Sequence, residues 1–155
     1  MAVDAPPGAP SPGMVAPGQR ARNVLSGETM TFEHTSGETR GERIELELEL
    51  RALGAPGGAP HRHDVAEQFT ITSGAVATWI AGRRPRIARR GDLVEVPPRR
   101  WHFLLALEPA RAHVTIRPGM RFDELLVLWA RLGSGDLRPA TIRRVLPLLR
   151  EHGCL

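Results

Sequence analysis

The sequence His61-Arg62-His63-Asp64-Val65-Ala66-Glu67 sets two histidines and a glutamate at linked spacings. Side chains along a β-strand alternate between its two faces, so His61 and His63 point the same way, roughly 6–7 Å apart. Glu67 has the same parity and joins them if the strand bends after His63. A fourth candidate, His102, must come from another strand. Three imidazole nitrogens and one carboxylate make a site for a divalent transition metal, and Fe, Mn, Ni, Cu and Zn all accept such ligands.

The fourth candidate ends a second segment, Gly91-Asp92-Leu93-Val94-Glu95-Val96-Pro97-Pro98-Arg99-Arg100-Trp101-His102. This segment has a glycine turn, a short apolar strand, a proline-rich turn and then the histidine. Turn residues that bracket a short apolar run are typical of a strand in an all-β protein.

Together the two segments resemble the paired motifs of the cupin superfamily, over about residues 40–118. The first segment fits the family pattern H-x-H-x3-E-x6-G at every fixed position, from His61 to Gly74. The second segment fits through its glycine, its first proline and its histidine, which are Gly91, Pro97 and His102. It departs at Arg99, where the family pattern has glycine, and at Ala106, where it often has asparagine.

The resemblance is to small single-domain bacterial cupins, and it implies an all-β fold: a double-stranded β-helix, or jelly-roll barrel, with C-terminal helices added. The pattern around the barrel agrees with this. Residues 43–51 alternate charged and apolar without a fault, which is typical of a half-buried antiparallel strand. Further strands are predicted at 28–34, 66–73, 75–81, 86–88, 92–96, 101–107 and 111–117. The residues 61–63 are expected to form a strand of their own.

Three regions are predicted along the chain. Residues 1–20 are rich in proline, glycine and alanine and are expected to be a disordered tail. Residues 21–118 form the barrel. Residues 119–155 form a helical segment that packs on the barrel or on a dimer partner, with apolar stripes at two sets of positions: Phe122, Leu125, Leu126, Trp129 and Leu132, then Ile142, Val145, Leu146 and Leu149. Pro147 is expected to kink or shorten the second helix.

The composition of the chain limits which side chains can take part in catalysis. The 155 residues contain no tyrosine and, among 21 basic residues, no lysine, so Schiff-base lysines and tyrosine acids are excluded. Acid–base work falls to His, Asp, Glu or a metal-bound water. One cysteine allows no disulfide framework, and no secretory signal or membrane-spanning run is present, so a cytoplasmic location is expected.

The arginine-rich run at residues 83–90 has two interpretations: a nucleic-acid patch or a solvated hairpin between two strands. No aromatic residues interleave with these arginines to stack bases, so the hairpin is favoured and no nucleic-acid partner is expected. The same run could bind an anionic partner or substrate tail. No membrane partner is expected either, whereas a homodimer is, because exposed strand edges need covering.

Strand parity also predicts a substrate pocket. Four apolar residues share a face with the candidate ligands, and one arginine is placed beside them: Phe69, Ile71, Leu104, Ala106 and Arg100. Arg100 could equally point to solvent beside Arg99. The remaining histidines, His34, His113 and His152, lack partners at ligand spacing and are expected to be structural or exposed.

Two functions are compatible with these features. The first is a metal-dependent enzyme acting on a small enolisable, aromatic or polyketide-like substrate, either as a dioxygenase or as a Lewis-acid isomerase or cyclase. Glu67 is then the candidate base. The resemblance supports both reactions, since it extends to cupin dioxygenases and polyketide-cyclase-type cupins. The second is a small-molecule-binding cupin without catalysis. A third possibility, in which the barrel only positions the C-terminal helices for assembly, leaves the four candidate ligands unexplained.

Overall fold

The computed structural model describes residues 14–155, which form nine strands and two helices. The strands are β1 Arg20–Asn23, β2 Glu28–His34, β3 Ile44–Leu50, β4 Ala66–Ser73, β5 Ala75–Ile80, β6 Arg86–Arg89, β7 Leu93–Val96, β8 His102–Ala106 and β9 Ala110–Arg117. The helices are α1 Phe122–Gly133 and α2 Pro139–Glu151. The predicted strands therefore lie where the alternation placed them, apart from the histidine segment described below.

The strands form two antiparallel sheets that face each other. One has six strands in the order β1-β2-β3-β9-β4-β7, and the other has three in the order β6-β5-β8. Inward side chains from both sheets make one core, in which Phe32, Ile44 and Ala88 are completely buried. This arrangement confirms the predicted all-β jelly-roll barrel with C-terminal helices.

The regular alternation of β3 explains why it lies in the middle of the larger sheet. Its four apolar side chains are buried, and its three glutamates are half-buried on the outer face. β3 pairs with β2 on one side and β9 on the other, and Glu47 lies opposite His113. The glutamates therefore face outward, as the sequence predicted.

The C-terminal helices pack on the barrel of the same chain. α1 contacts β1 and α2, and it buries Leu125 and Leu128. Trp129 lies at the edge of this contact and is 37% exposed, whereas the sequence suggested a core position. Pro147 does not shorten α2, which continues to Glu151. None of the helices within residues 14–155 is long and apolar enough to cross a membrane.

The expected N-terminal tail falls largely on residues 1–13, which lie outside the described residues. The part from 14 to 20 is structured, contrary to the prediction. Val15 belongs to the core with 5% exposure, and Arg20 begins β1. This strand carries one apolar residue among four, Ala21, so the sequence offers no alternation by which to recognise it.

Candidate metal centre

The segment that carries His61 and His63 is not a continuous strand, which corrects the prediction. His61 forms an isolated bridge to His102: its amide donates to the His102 carbonyl at 3.1 Å and its carbonyl accepts from the His102 amide at 3.0 Å. The chain then leaves the sheet and enters β4 at Ala66. This break supplies the bend that Glu67 needs in order to share a side with the histidines.

Three imidazoles converge at this point. One ring nitrogen from each of His61, His63 and His102 lies within 4.8 Å of the other two. The ring centroids of His61 and His63 are 5.4 Å apart, and that of His102 lies 4.4 Å from His61 and 4.9 Å from His63. His63 and His102 are each 2% exposed, whereas His61 is half-buried and marks the open side of the group.

Backbone carbonyls fix the tautomer of all three rings. Nδ1 of His61 lies 2.7 Å from the carbonyl oxygen of Ala59, and Nδ1 of His63 lies 3.0 Å from that of Val65. Nδ1 of His102 lies 2.8 Å from the carbonyl oxygen of Arg100. A carbonyl can only accept, so each Nδ1 carries the proton and donates. In the neutral rings every Nε2 therefore presents a lone pair.

Two of these lone pairs are buried and accept no hydrogen bond. Within residues 14–155, Nε2 of His63 and Nε2 of His102 are buried and have no hydrogen-bond partner. Burial of an unpaired polar atom is costly, so such atoms call for an explanation. Imidazole ligands whose second nitrogen is held by a carbonyl are the usual arrangement around a bound transition metal. The donor set therefore fits a divalent metal ion held by the three Nε2 atoms.

Glu67 completes the group from β4. Its carboxylate oxygen lies 3.4 Å from Nε2 of His63 and 3.6 Å from Nε2 of His102, and the residue is 8% exposed. Burial alone would raise the pKa of Glu67, but the charge of His63 and the two imidazole contacts outweigh burial and hold this pKa well below its ordinary range. Glu67 is thus an anion at neutral pH, which suits either a metal ligand or a base.

The two neighbouring histidines respond to this anion differently. Burial lowers the pKa of His63, but the negative charge of Glu67, 3.4 Å from Nε2, overcomes it, so the net direction is upward. For His61, burial dominates and the pKa falls. His61 is therefore the more readily neutral of the two, and neutral imidazole is the form that binds metal.

A buried carboxyl that the sequence analysis missed lies on β2. Glu28 faces the barrel interior and is 3% exposed. Burial raises its pKa to about 7, against the opposing effects of the Ser26 side chain and the backbone of Gly57, and the negative charge of Glu67 adds to the rise. Glu28 starts its strand in a Glu-Thr-Met-Thr-Phe pattern in which alternate residues point inward, so parity with Met30 and Phe32 could have revealed it.

His152 is a second residue with an unexpected position. It is 1% exposed, and its Nε2 has no partner within the described chain. Its ring lies 5.2 Å from that of Phe122, which in turn lies 5.0 Å from the ring of His63. The His152 carbonyl also accepts a hydrogen bond from the amide of Asp64 at 2.8 Å. The end of α2 thus supports the loop that carries His63, which is the structural one of the two positions expected for His152.

The predicted pocket residues divide into one outside the barrel and four inside it. Arg100 is exposed, and its guanidinium lies 3.4 Å from the carbonyl oxygen of Ala81, outside the barrel. The four apolar residues point inward, as parity predicted, and they are core residues with at most 3% exposure: Phe69, Ile71, Leu104 and Ala106. The inward side chains of a small barrel fill its interior, so parity alone did not predict a cavity.

A second cluster of ligand-type side chains lies on the outer face of the larger sheet. Nδ1 of His113 is 2.8 Å from Glu47 and 3.7 Å from Glu33, while its Nε2 is 3.4 Å from Glu45. Glu33, Glu47 and His113 could also hold an ion. Nδ1 of His113 is already hydrogen-bonded to Glu47, however, and the ring is half-exposed, so ion pairing with the surrounding glutamates accounts for this group.

Both the sequence and the fold of this chain are similar to those of known proteins. The family model for the cupin domain matches residues 50–116. No curated protein matches the sequence significantly. An RmlC-like cupin from Shewanella frigidimarina has a similar structure, with a TM-score of 0.55 and 14% identity over 63% of this chain and 82% of that one.

Two further solved structures are similar at comparable levels. KdgF from a Halomonas species has a TM-score of 0.54 and 18% identity, covering 63% of this chain and 84% of its own. A predicted oxalate decarboxylase from Thermotoga maritima has a TM-score of 0.54 and 14% identity, covering 64% of this chain and 90% of its own. At these identities the likeness concerns the fold.

Proposed function

Since this chain is a small protein of the cupin superfamily, we propose that it is an enzyme that uses one divalent transition metal, held by His61, His63 and His102 with Glu67, to act on a small enolisable substrate. A predicted oxalate decarboxylase is among the solved structures that share this fold, which supports an enzymatic role. The proposal extends an enzymatic role of this kind to a different substrate class.

The observation that carries the proposal is the pair of buried, unpartnered Nε2 atoms on His63 and His102. All three Nδ1 atoms are engaged by carbonyls, so the rings cannot turn to find other partners without losing those bonds. A bound metal ion would polarise substrate oxygens as a Lewis acid or, if it is redox-active, allow oxidation by dioxygen.

Glu67 is the residue best placed to move a proton. It is anionic, buried and in contact with two of the imidazoles, and the chain contains neither lysine nor tyrosine to take its place. A carboxylate at this position can accept a proton from carbon next to a carbonyl group, provided that substrate lies within hydrogen-bond reach.

Substrate size follows from the packing. The barrel interior beyond the histidines is filled by core side chains, and His61 forms the open side of the group. A small substrate that approaches past His61 and offers two oxygens fits this arrangement better than an extended aromatic or polyketide-like molecule. The choice between dioxygenase and isomerase or cyclase then depends on which metal is resident.

The test begins with metal content, measured by plasma mass spectrometry on untagged protein purified without chelators. Near one equivalent of iron, manganese, nickel or copper, followed by oxygen consumption with a small enol, supports a dioxygenase. One equivalent of zinc with isomerisation or cyclisation of the same enol supports the Lewis-acid reaction. Failure to bind any of these metals after reconstitution contradicts the proposal. Metal binding with substrate binding but no turnover favours the non-catalytic binding protein.

A further inference from the structure

The outer faces of the two sheets differ in chemistry. The larger sheet presents charged and polar pairs, such as Glu47 opposite His113 and Glu49 opposite Arg111. The smaller sheet presents a continuous apolar surface, here called the apolar face: Trp79, Ile87, Trp101, Phe103, Leu105 and Leu107. An antiparallel sheet with one solvated face normally alternates apolar-in and polar-out, so the apolar face departs from that pattern.

Strand pairing makes the apolar face one contiguous patch. Trp79 lies directly opposite Phe103, and Ala77 lies between Leu105 on one neighbour and Ile87 on the other. Exposure is 41% for Trp79, 48% for Ile87 and Trp101, and 45% for Leu107. A shallow cleft of about 290 Å³ runs across the centre of the patch. A flat, exposed patch of this kind marks an interaction surface.

The composition of the apolar face and its surroundings indicates a protein partner. Trp, Phe and Arg are enriched at protein–protein interfaces, whereas Lys and Glu are depleted. Three arginines lie at one end of the sheet, Arg83, Arg84 and Arg100, and within residues 14–155 no carboxylate comes within 4.0 Å of them. Arginines on the opposite side of the molecule are paired instead, as Arg111 is with Glu49 at 3.0 Å.

The two ends of the smaller sheet are complementary in charge on the side of β8. Arg100 lies just before β8, at the end of the sheet where Ile80 pairs with His102. Glu108 follows β8 at the other end, and in the described chain no arginine or histidine lies within 4.0 Å of it. A two-fold axis that lies in the interface, perpendicular to the strands, would place Glu108 of each copy near Arg100 of the other, twice by symmetry.

We propose that the apolar face is the interface between two copies of this chain, packed face to face. Exposed fractions of this size leave on the order of 500 Å² of apolar area on each copy. Two copies would together bury about 1,000 Å² before the arginine rim is counted, which reaches the lower bound for a specific interface. Two sheets that pack face to face lie about 10 Å apart, with their strands nearly aligned. Two flat, identical sheet surfaces can adopt this geometry.

Sedimentation velocity on the full chain tests the proposal directly. Wild type is expected to be a dimer at micromolar concentration, and Trp79→Asp to raise the dimer dissociation constant at least about 100-fold. The matched control is Thr72→Asp, which puts the same charge on the polar outer face of β4 and leaves the dimer unchanged. Circular dichroism melts confirm that each variant is folded. A monomeric wild type, or a Trp79→Asp variant that stays dimeric while folded, overturns the proposal.

A charge exchange on exposed residues adds a test that does not disturb the sheet. Arg100→Glu is expected to weaken the dimer about 10-fold, and Glu108→Arg added to that variant is expected to recover most of the loss. Recovery supports the two-fold arrangement, because it requires the two ends to meet across the interface. No recovery overturns that arrangement. A monomer that binds vesicles of anionic lipid instead assigns the apolar face to a membrane surface and overturns the proposal as well.

Discussion

The barrel carries two clusters of histidine and glutamate, one inside and one on its outer surface, and they differ in what the imidazoles have left to offer. Inside, the Nδ1 atoms of His61, His63 and His102 are bound to carbonyls and the Nε2 atoms converge. Outside, His113 has a carboxylate within 3.4 Å of Nε2 and another within 2.8 Å of Nδ1.

The difference shows that ligand-type residues close together do not by themselves make a metal site. The inner cluster has one carboxylate among three neutral nitrogen donors and is buried, so its lone pairs lack competition from water. The outer cluster has three carboxylates around one half-exposed imidazole, and Nδ1 of that imidazole is already hydrogen-bonded to Glu47. In the inner cluster, backbone carbonyls hold all three rings by Nδ1, and the buried Nε2 atoms of His63 and His102 form no hydrogen bond. These preorganised nitrogen donors distinguish the inner cluster.

Removing two inner imidazoles should have the largest effect. The double variant His63→Ala with His102→Ala is expected to lose stoichiometric metal binding while the barrel stays folded, since two of three nitrogen ligands disappear. The matched outer variant, His113→Ala with Glu47→Ala, should keep full occupancy. Isothermal titration with the metal found in the wild type measures both. Equal loss from the two variants would erase the distinction between the clusters.

Glu67 provides the next largest effect. Glu67→Gln keeps the size of the side chain but removes the charge that faces His63 and His102, so metal affinity is expected to fall about 100-fold, or ~2.7 kcal/mol. Glu95→Gln is the control, because Glu95 lies on the adjacent strand β7 and points outward. Unchanged affinity in Glu67→Gln would mean that the three histidines hold the ion alone.

Glu28 extends the comparison to an interior carboxyl that has no imidazole beside it. Its pKa is raised from 4.5 to about 7, so between these values the folded protein keeps a proton that the unfolded chain has lost, and stability falls as the pH rises. Gln cannot ionise. Glu28→Gln is therefore expected to be about 3 kcal/mol more stable than wild type at pH 8 and equally stable at pH 4.

Urea denaturation of the metal-free protein at both pH values measures this difference, and Glu42→Gln on the surface serves as the control. A stability gain of equal size at pH 4 and pH 8 would show that Glu28 is not a proton-holding group, and that any benefit of Gln comes from packing.

The fold was largely readable from the sequence because its strands alternate cleanly. β2 and β4 begin and end at the predicted residues, 28–34 and 66–73, and the fault-free pattern of β3 identified its buried face. The sequence did not predict β1, because Arg20–Asn23 has a single apolar residue and forms a strand through its pairing with β2. Such a strand is defined by its neighbour, and a local pattern cannot report that.

The candidate site was readable in part. Spacing predicted that His61 and His63 would meet His102, and the structure brings the three rings together, while their role as metal ligands stays a prediction. The pocket was not predictable, because parity shows which side chains point inward but not whether they leave a space. The burial of Glu28 was readable from its parity with Met30 and Phe32, whereas the burial of His152 depends on contacts between distant segments, which no short motif contains.

His113 should give the smallest effect and tests the outer cluster on its own terms. Burial opposes its protonation, but Glu47 and Glu45 together outweigh burial and raise the pKa of His113 above its usual 6.5. A histidine whose pKa is raised on folding stabilises the protein below the unfolded pKa, and this contribution disappears as the pH rises through the folded pKa.

The side chain of His113 is 32% exposed, so solvent screening limits the coupling to Glu47 to about 0.5 kcal/mol. A double-mutant cycle with His113→Gln and Glu47→Gln should therefore show that coupling at pH 5.5 and almost none at pH 9. Coupling of equal strength at both pH values would mean that a neutral hydrogen bond, and not an ion pair, holds the outer cluster. The contrast with the inner cluster would then no longer rest on charge.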